Sequence, residues 1–160
     1  MNDRRLERLA FLLRMVERMA RHLQTTTRRL FARKIDAEWL KSLDENPETS
    51  EQLDAFVARF GRLQDTIADK LIPELLRISL ETPGSALDNL NRMEKLGLIH
   101  SVDEWMEARN LRNRLIHEYM HDPEEFLQAL KRAEQLVPAL LSSYESIENY
   151  LKERWGERLI

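Results

Sequence analysis

The sequence predicts an all-α protein, folded as an antiparallel, up-and-down bundle of about five or six helices. Apolar residues recur at three- and four-residue spacing along most of the chain, which is the pattern of helices packed on one face. Only 4 Gly and 5 Pro occur among 160 residues, and 33% of the residues are charged. This balance is typical of long helices with solvated outer faces, and no segment shows the alternation of a strand.

The N-terminal region is predicted to form one long helix, either bent or divided in two. Thr25–Thr27 is a run of three β-branched residues that weakens a helix. We therefore expect the first helix to end near His22–Gln24 and a second to extend to about Ser42, before the turn-like segment 44–47. The apolar stripe of this region comprises Leu6, Leu9, Leu13, Val16, Ala20, Leu23, Thr27 and Leu30.

The next helix is predicted to begin at a cap formed by Thr49 or Ser50. Pro73 lies within it and is expected to kink it, because proline removes a backbone donor and crowds the preceding turn. Residues 82–84, Thr-Pro-Gly, predict a break. The apolar stripe of this helix comprises Leu53, Phe56, Phe60, Leu63, Ile67, Leu71 and Leu75.

Two helices are predicted to follow the break. A short one spans about Ser85 to Leu96, and Gly97 supplies its C-terminal stop. Ser101 and Glu104 have the spacing of a capping box, which starts a helix that we expect to extend to about His121.

The last helix is predicted to extend from Pro123 to about Arg154. Asp122 is a good N-cap, proline suits the first helical position, and the following Glu residues favour the positive end of the helix dipole. Pro138 predicts a kink within it.

Composition excludes several classes of protein. The length suits one domain, covering residues 1–160. The absence of Cys excludes disulfides, thiolate metal sites and cysteine nucleophiles. A net charge of −3 provides no overall basic field, so any RNA contact must be local and specific DNA binding is not expected. No apolar run suits a membrane span and no signal peptide is evident, so we expect a cytoplasmic protein without a membrane partner. No residue cluster predicts a metal or another cofactor.

Residues 112–119, Arg-Asn-Arg-Leu-Ile-His-Glu-Tyr, concentrate groups that bind phosphate and move protons at neutral pH. At about 100° per residue, one side of this helix is predicted to be a core face and the other a polar face. The core face comprises Trp105, Ala108, Leu115, Ile116 and Tyr119, with Leu111 at its edge. The polar face comprises Asn110, Asn113, Arg114, His117 and His121.

The position of Arg112 on this helix is unusual. Asn113 and His117 are four residues apart and are neighbours, whereas Arg112 and His117 are separated by about 140°. Arg112 is directed at the core face, near Trp105 and Tyr119, where its donors need partners. Tyr119, a carboxylate elsewhere in the bundle, or an interface with a second subunit could supply them. From chemistry alone, the structural interpretation of these residues remains favoured over the functional one.

The R-N-x3-H-x-Y pattern, near the end of the penultimate helix and followed by a long helix after an Asp-Pro turn, resembles the HEPN superfamily. It is most similar to the HepT-type toxins, which are encoded beside minimal nucleotidyltransferases. Segments 60–65 and 94–98 are also similar to that group. The resemblance covers roughly residues 50–150 and implies a HEPN-like core over residues 50–155. Residues 1–45 are then an N-terminal helical addition rich in Arg. That addition could bind RNA, bind an acidic partner or face solvent, and its interspersed acidic residues favour solvent.

The resemblance implies a metal-independent endoribonuclease toxin that acts as a homodimer and is neutralised by a partner nucleotidyltransferase. It implies that His117 is the general acid or base at the ribose 2′-hydroxyl and the leaving oxygen. Arg112 would bind the scissile phosphate, and Asn113 would orient His117 or the phosphate. Tyr119 corresponds to the tyrosine that partner enzymes modify with AMP. A two-fold axis would assemble one site from two helices.

Two other functions fit the same residues. The chain could be a non-catalytic substrate-binding or antitoxin subunit of a nucleotidyltransferase complex, with the motif as a contact surface and Tyr119 as a packing residue. It could also be a plain dimeric helical scaffold. The sequence alone leaves these alternatives open, although the resemblance favours an enzyme.

Overall fold

The computed structural model describes residues 2–117 and 121–159, and within them every regular element is helical, which confirms an all-α helical bundle. The α-helices are α1 (Asn2–Leu30), α2 (Ala37–Ser42), α3 (Pro47–Thr66), α4 (Ile72–Ile78), α5 (Ala86–Lys95), α6 (Val102–His117) and α7 (Pro123–Trp155). A π-helical turn, Ile67–Leu71, joins α3 to α4. Short 3-10 turns occupy Leu43–Glu45 and Gly156–Leu159. No helix in the described ranges is both long and apolar enough to cross a membrane.

The long helices share a single hydrophobic core. Both α1 and α6 pack on α3 and on α7, so α3 and α7 lie between them. Helices α6 and α7 are antiparallel, because Glu107, early in α6, pairs with Arg132, whereas Arg114, later in α6, lies near Glu125 at the start of α7. The largest fully buried side chains include Phe56, Phe60, Phe126, Leu9, Leu12, Leu23, Leu30, Leu53, Leu63, Ile67, Leu71 and Ile72.

Of the two predictions for the N-terminal region, division of the helix at Thr25–Thr27 is wrong, because α1 continues through these residues to Leu30. Tertiary packing outweighs the weak helix propensity of these residues. Leu23 and Leu30 are fully buried on either side of the run. Within it, the Thr27 hydroxyl donates to the Leu23 carbonyl (2.6 Å), and buried Thr26 accepts a hydrogen bond from Arg59 of α3.

The second predicted helix is much shorter than the sequence indicated. It forms only α2, after a connection over residues 31–36. Asp36 caps it by accepting a hydrogen bond from the Trp39 amide (2.8 Å), and Trp39 is buried. The local cap and the burial of one indole therefore determine where this helix begins.

The predicted caps Thr49 and Ser50 are also wrong, since α3 begins at Pro47 and both residues lie inside its first turns. Proline suits the first helical position because that position needs no amide donor. The disturbance predicted at Pro73 takes the form of the π-turn Ile67–Leu71 directly before it, where the regular hydrogen-bond ladder changes.

The remaining helix ends agree closely with prediction. Gly97 follows α5 with a φ of 74°, a left-handed conformation that suits glycine. The Ser101 hydroxyl accepts a hydrogen bond from the Glu104 amide (3.1 Å), but Glu104 lies 3.0 Å from His100 instead of completing a capping box. Asp122 caps α7 through the Glu125 amide (3.2 Å). The last helix continues as α-helix through Pro138.

Candidate functional site

Helix α6 carries the motif and is anchored by one buried face. Its buried residues are Val102, Trp105, Ala108, Leu111 and Leu115. The prediction for Ile116 is wrong, because this side chain is 55% exposed. The buried residues advance by three or four positions, and Ile116 lies about 100° away from Leu115, beyond the edge of that face.

The predicted polar face is exposed to solvent throughout. Asn110, Asn113, Arg114 and His117 are all exposed on α6, and His117 is its last residue. His121 is exposed and lies in a turn. The predicted end of the helix near His121 follows residues 118–120, which lie outside the described residues. Tyr119 lies outside the described residues. The structure therefore places Asn113 and His117 on the same exposed side, within one helical turn.

Arg112 is held by a carboxylate of its own chain. Its Nη1 lies 2.8 Å from Oδ1 and 2.7 Å from Oδ2 of Asp65 on α3. The side chains of Arg112 and Asp65 are 33% and 34% exposed, so the pair lies at the rim of the α3–α6 interface rather than in the core. The sequence left three possible partners open for Arg112. Among the described residues, the partner is a carboxylate elsewhere in the bundle, that of Asp65. The pair fixes the position of the guanidinium beside α6.

Gly61 makes room for this arrangement. A Cβ at position 61 would lie 2.7 Å from Nε, 3.0 Å from Cδ and 3.1 Å from Cγ of Arg112. The Arg112 side chain therefore lies flat against the backbone of α3, one turn before Asp65. A glycine within a helix is otherwise unfavourable, and here the close approach of a neighbouring side chain accounts for it.

Two further contacts join α6 to α3 and to the π-turn that follows it. Arg109 lies 3.8 Å from Asp69 of the π-turn, about one turn along from the Arg112–Asp65 pair. The buried Gln64 amide donates to the Ala108 carbonyl (3.2 Å). Together these contacts fix the register of α6 against α3, and with it the direction of Arg112.

A separate clamp joins α6 to α7. Arg132 donates from Nε and Nη2 to the two carboxylate oxygens of Glu107, at 2.7 and 2.8 Å. This hydrogen bonding lowers the pKa of Glu107 below its ordinary value and raises that of Arg132. Arg114 lies 3.8 Å from Glu125 near the connection of the two helices. The clamp at Glu107 thus holds the N-terminal half of α6 on α7, and Arg114 approaches Glu125 in the half that carries the motif.

A groove of about 360 Å³ opens between α3 and α6 beside Arg112. Apolar side chains dominate its wall, with Arg112 and Asp54 as the charged members and exposed Ile116 on the α6 side. Its lining residues are Leu53, Asp54, Val57, Ala58, Gly61, Arg112, Leu115, Ile116 and Phe126. The motif helix therefore presents an apolar groove next to the guanidinium, and its polar face lies on the far side of Ile116.

The arrangement provides an anion-binding group and a proton-transfer group on one short segment. Among the described residues, Arg112 makes its hydrogen bond through Nη1, and its side chain is 33% exposed, so part of the guanidinium can meet a ligand oxygen. His117 is exposed, and imidazole exchanges protons near neutral pH. Within the described ranges no three His, Asp or Glu side chains are grouped to hold a metal ion.

Sequence reasoning missed the residues of α3 that position Arg112. Asp65 and Gly61 lay in a segment noted only for its similarity to toxin proteins. A signal was present, since Gly61 is an isolated glycine within a strongly periodic helix, and such a glycine often marks a close approach. No protein-family model, curated protein or solved structure matches the chain.

Proposed function

We propose that the protein is a metal-independent endoribonuclease that acts as a homodimer and is neutralised by a partner nucleotidyltransferase. One observation carries the proposal: Arg112 is held beside α6 by Asp65 and Gly61, while Asn113 and His117 share the exposed face of the same segment. This combination supports phosphate binding next to proton transfer. The resemblance to HEPN toxins supplies the reaction class.

The reaction needs a base and an acid. A base removes the proton of a ribose 2′-hydroxyl, the 2′-oxygen attacks phosphorus, and the bond to the 5′-oxygen breaks as an acid protonates it. The products are a 2′,3′-cyclic phosphate and a free 5′-hydroxyl. A single His117 cannot be deprotonated and protonated at once, so two copies of His117 related by a two-fold axis suit both roles.

The other residues follow from this assignment. Arg112 supplies charge-assisted hydrogen bonds to the non-bridging phosphate oxygens, with its angle set by Asp65. Asn113, within one turn of His117, orients the imidazole or the phosphate. Asn110, Arg114 and His121 form the supporting polar surface along which RNA would lie.

The surface around the motif favours a second copy of the chain. Ile116 is 55% exposed and lines the apolar groove, directly between Leu115 in the core and the catalytic candidate His117. Burial of this side chain and groove against a symmetry-related copy would remove apolar surface from water. An Ile116→Asp variant is then expected to weaken the dimer, measured as a shift toward the monomer by sedimentation equilibrium.

Tyr119 is the proposed target of the partner enzyme. The neutralising reaction would transfer AMP from ATP to the Tyr119 hydroxyl and release pyrophosphate. With partner and ATP present, we expect a mass gain of one AMP that Tyr119→Phe abolishes. A protein that gains no AMP mass under these conditions would contradict this part of the proposal.

The central experiment is RNA cleavage by the purified protein in EDTA. Cleavage is expected for the wild type, with a loss of about 10²–10⁴-fold in His117→Ala, the size typical of a general acid or base. His22→Ala is the matched control, because His22 is an exposed histidine on α1, and it should cut at the wild-type rate. Equal cleavage by wild type and His117→Ala would rule the assignment out.

One observation favours the alternative, a non-catalytic subunit of a nucleotidyltransferase complex. The charge of Arg112 is matched by Asp65, and Arg114 lies near Glu125, so the motif arginines also serve as structural ties. For such a subunit, the protein would co-purify with its partner and be neither toxic nor able to cut RNA. His117→Ala would then leave growth unchanged on expression, whereas for a toxin it relieves growth arrest.

A further inference from the structure

The outer face of α1 carries a continuous row of exposed side chains, here called the outer stripe. Its positions follow the three- and four-residue spacing of one helical face, opposite the buried stripe. The members are Arg4, Glu7, Phe11, Arg14, Arg18, Arg21, Thr25 and Arg28, all exposed. The stripe spans about 36 Å at the helical rise of 1.5 Å per residue.

The arginines of α1 fall into two groups. Arg5 and Arg8 lie 3.8 and 3.3 Å from buried Glu74 of α4, and Arg29 lies 3.9 Å from Glu48 of α3. These arginines hold α1 on the bundle. Those of the outer stripe make no ion pair or hydrogen bond within the described part of the chain. Their charges are therefore available to a ligand.

An aromatic ring lies within this row of charges. Phe11 is 55% exposed and lines a groove of about 480 Å³, together with Arg14, Met15, Glu17, Arg18 and Arg21. Glu17 is the one carboxylate of the groove, against three guanidinium groups. A flat apolar ring beside several unpaired arginines is the combination that binds single-stranded nucleic acid, by base stacking and by phosphate contacts.

Charge is distributed unevenly along the chain. Helix α1 contains eight Arg against three acidic residues, a formal charge of +5. Because the whole chain has a formal charge of −3, the remaining residues carry −8. The overall acidity that argues against nucleic-acid binding therefore resides outside α1, and the attractive field for an anion is local to this helix.

We propose that the outer stripe of α1 is a second binding surface, which holds single-stranded RNA through phosphate contacts with Arg14, Arg18 and Arg21 and a base stacked on Phe11. An acidic protein would be held by the charges alone and would have no use for the exposed ring. Base stacking and phosphate contacts would hold any single-stranded nucleic acid. The choice of RNA over DNA rests on the proposed ribonuclease function.

The stripe is separate from the motif. Helices α3 and α7 lie between α1 and α6. The stripe lies on the side of α1 opposite its buried stripe, and Arg21, at the edge of the stripe, also lines a groove with Tyr144, Glu145 and Glu148 of α7. It therefore does not contact the cleaved bond within one protomer. Its role is to retain a strand, so it affects substrate affinity and leaves the chemical step unchanged.

The first test measures binding of a fluorescent 2′-O-methyl RNA of about 20 nucleotides, which spans more than one site of this type and lacks the 2′-hydroxyl needed for cleavage. The triple variant Arg14→Gln, Arg18→Gln, Arg21→Gln is expected to bind at least tenfold more weakly at about 100 mM salt. Three lost contacts should lower the slope of log affinity against log salt by about 2, at roughly 0.7 per phosphate. The control, Lys41→Gln, Lys95→Gln, Lys131→Gln, removes the same charge from exposed, unpaired positions elsewhere.

The second test separates stacking from charge. Phe11→Leu keeps an apolar side chain but no ring and should weaken RNA binding about fivefold or more, whereas Phe11→Trp should retain it. A polyglutamate peptide and a DNA strand of equal length serve as competitors. Circular dichroism of each variant checks that the exposed substitutions leave the fold intact.

Three results would overturn the proposal. One is an equal loss of affinity in the stripe and control triple variants, which would mean that only net charge matters. Another is no effect of Phe11→Leu together with polyglutamate competing as well as RNA, which would assign the stripe to an acidic protein. The third is DNA competing better than RNA. Because the probe cannot be cut, the binding test remains valid even if the protein is not a nuclease. If the protein does cut RNA, a stripe variant with raised KM and unchanged kcat would support both the nuclease proposal and the second binding surface.

Discussion

Replacement of Gly61 by Ala tests how Arg112 is positioned. The new methyl carbon would lie 2.7 Å from Nε and 3.0 Å from Cδ of Arg112, whereas carbon contacts are comfortable at about 3.5–4.0 Å. The Arg112 side chain must therefore move by the better part of an ångström. Because Nη1 is only 2.7 Å from Asp65, that displacement breaks or distorts the ion pair.

Opposing contributions set the expected magnitude. Ala in place of Gly within a helix stabilises by about 0.5–1 kcal/mol. Crowding costs about 1–3 kcal/mol, and loss of a pair that is one-third exposed costs about 1 kcal/mol at most after allowance for solvent screening. Because the obstacle is a flexible side chain that can yield, crowding falls at the low end of its range, and Gly61→Ala should destabilise the wild type by about 1 kcal/mol. In an Arg112→Ala background the obstacle is gone, and the same change should stabilise by about 0.5–1 kcal/mol.

The assay is a double-mutant cycle by equilibrium urea unfolding, followed by helical circular dichroism and extrapolated linearly to water. Ala58→Gly, at an exposed position one turn earlier on α3, calibrates the Gly–Ala difference in this helix. The expected coupling is about 1.5–2 kcal/mol with a change of sign. Equal stabilisation by Gly61→Ala in both backgrounds would refute the close approach of Arg112 to α3.

Three other predictions concern the stability of the helical bundle that carries the site. Leu115→Ala should cost about 2–5 kcal/mol of unfolding free energy and Ile116→Ala less than about 1, since only Leu115 is buried; similar losses would contradict the assigned faces of α6. Burial and the hydrogen bond to Glu148 raise the pKa of Tyr144, so the unfolded chain loses the Tyr144 proton at lower pH than the folded protein does. The free energy of unfolding should therefore fall as pH rises above about 10, by up to about 1.4 kcal/mol per pH unit, and Tyr144→Phe should flatten this alkaline limb of the pH–stability curve. Because the pKa of Glu107 is lowered in the folded protein, its clamp with Arg132 stabilises the fold above pH 4.5, and this stabilisation is lost as pH falls through the folded-state pKa. The melting temperature of Glu107→Gln should therefore fall less steeply at acid pH than that of the wild type, and an unchanged acid dependence would contradict the clamp.

Several helix ends were predictable because the determining contact is local, although the equally local signals of Asp36 and Pro47 were missed. Gly97, Asp122 and Pro123 act through their own backbone geometry or through an amide three residues away, so their sequence signals are complete. Thr25–Thr27 shows the opposite case. Its local propensity indicates a break, but Arg59 and the buried neighbours of α3 lie far away in sequence and reverse the outcome.

The candidate site divides in the same way. The spacing of Asn113 and His117 places them on one face of any helix, and both are exposed on α6. The partner of Arg112 could not be chosen from sequence, because Asp65 is 47 residues away and depends on how α3 packs against α6. Ile116 was wrongly predicted to lie on the core face of α6. Helical periodicity gives the direction of each side chain, but the neighbouring helices determine how wide a face is buried.

The sequence by itself determined that this chain is helical, where α5 and α7 begin and end, and which residues lie together on the polar side of the motif. These properties follow from periods and caps that act within a few residues. Only the tertiary structure decided that α1 is unbroken, that Gly61 and Asp65 hold Arg112, and that one row of arginines on α1 has no partner in the described chain. Each depends on which helices are neighbours, and burial and charge pairing across helices are set by that arrangement rather than by local spacing.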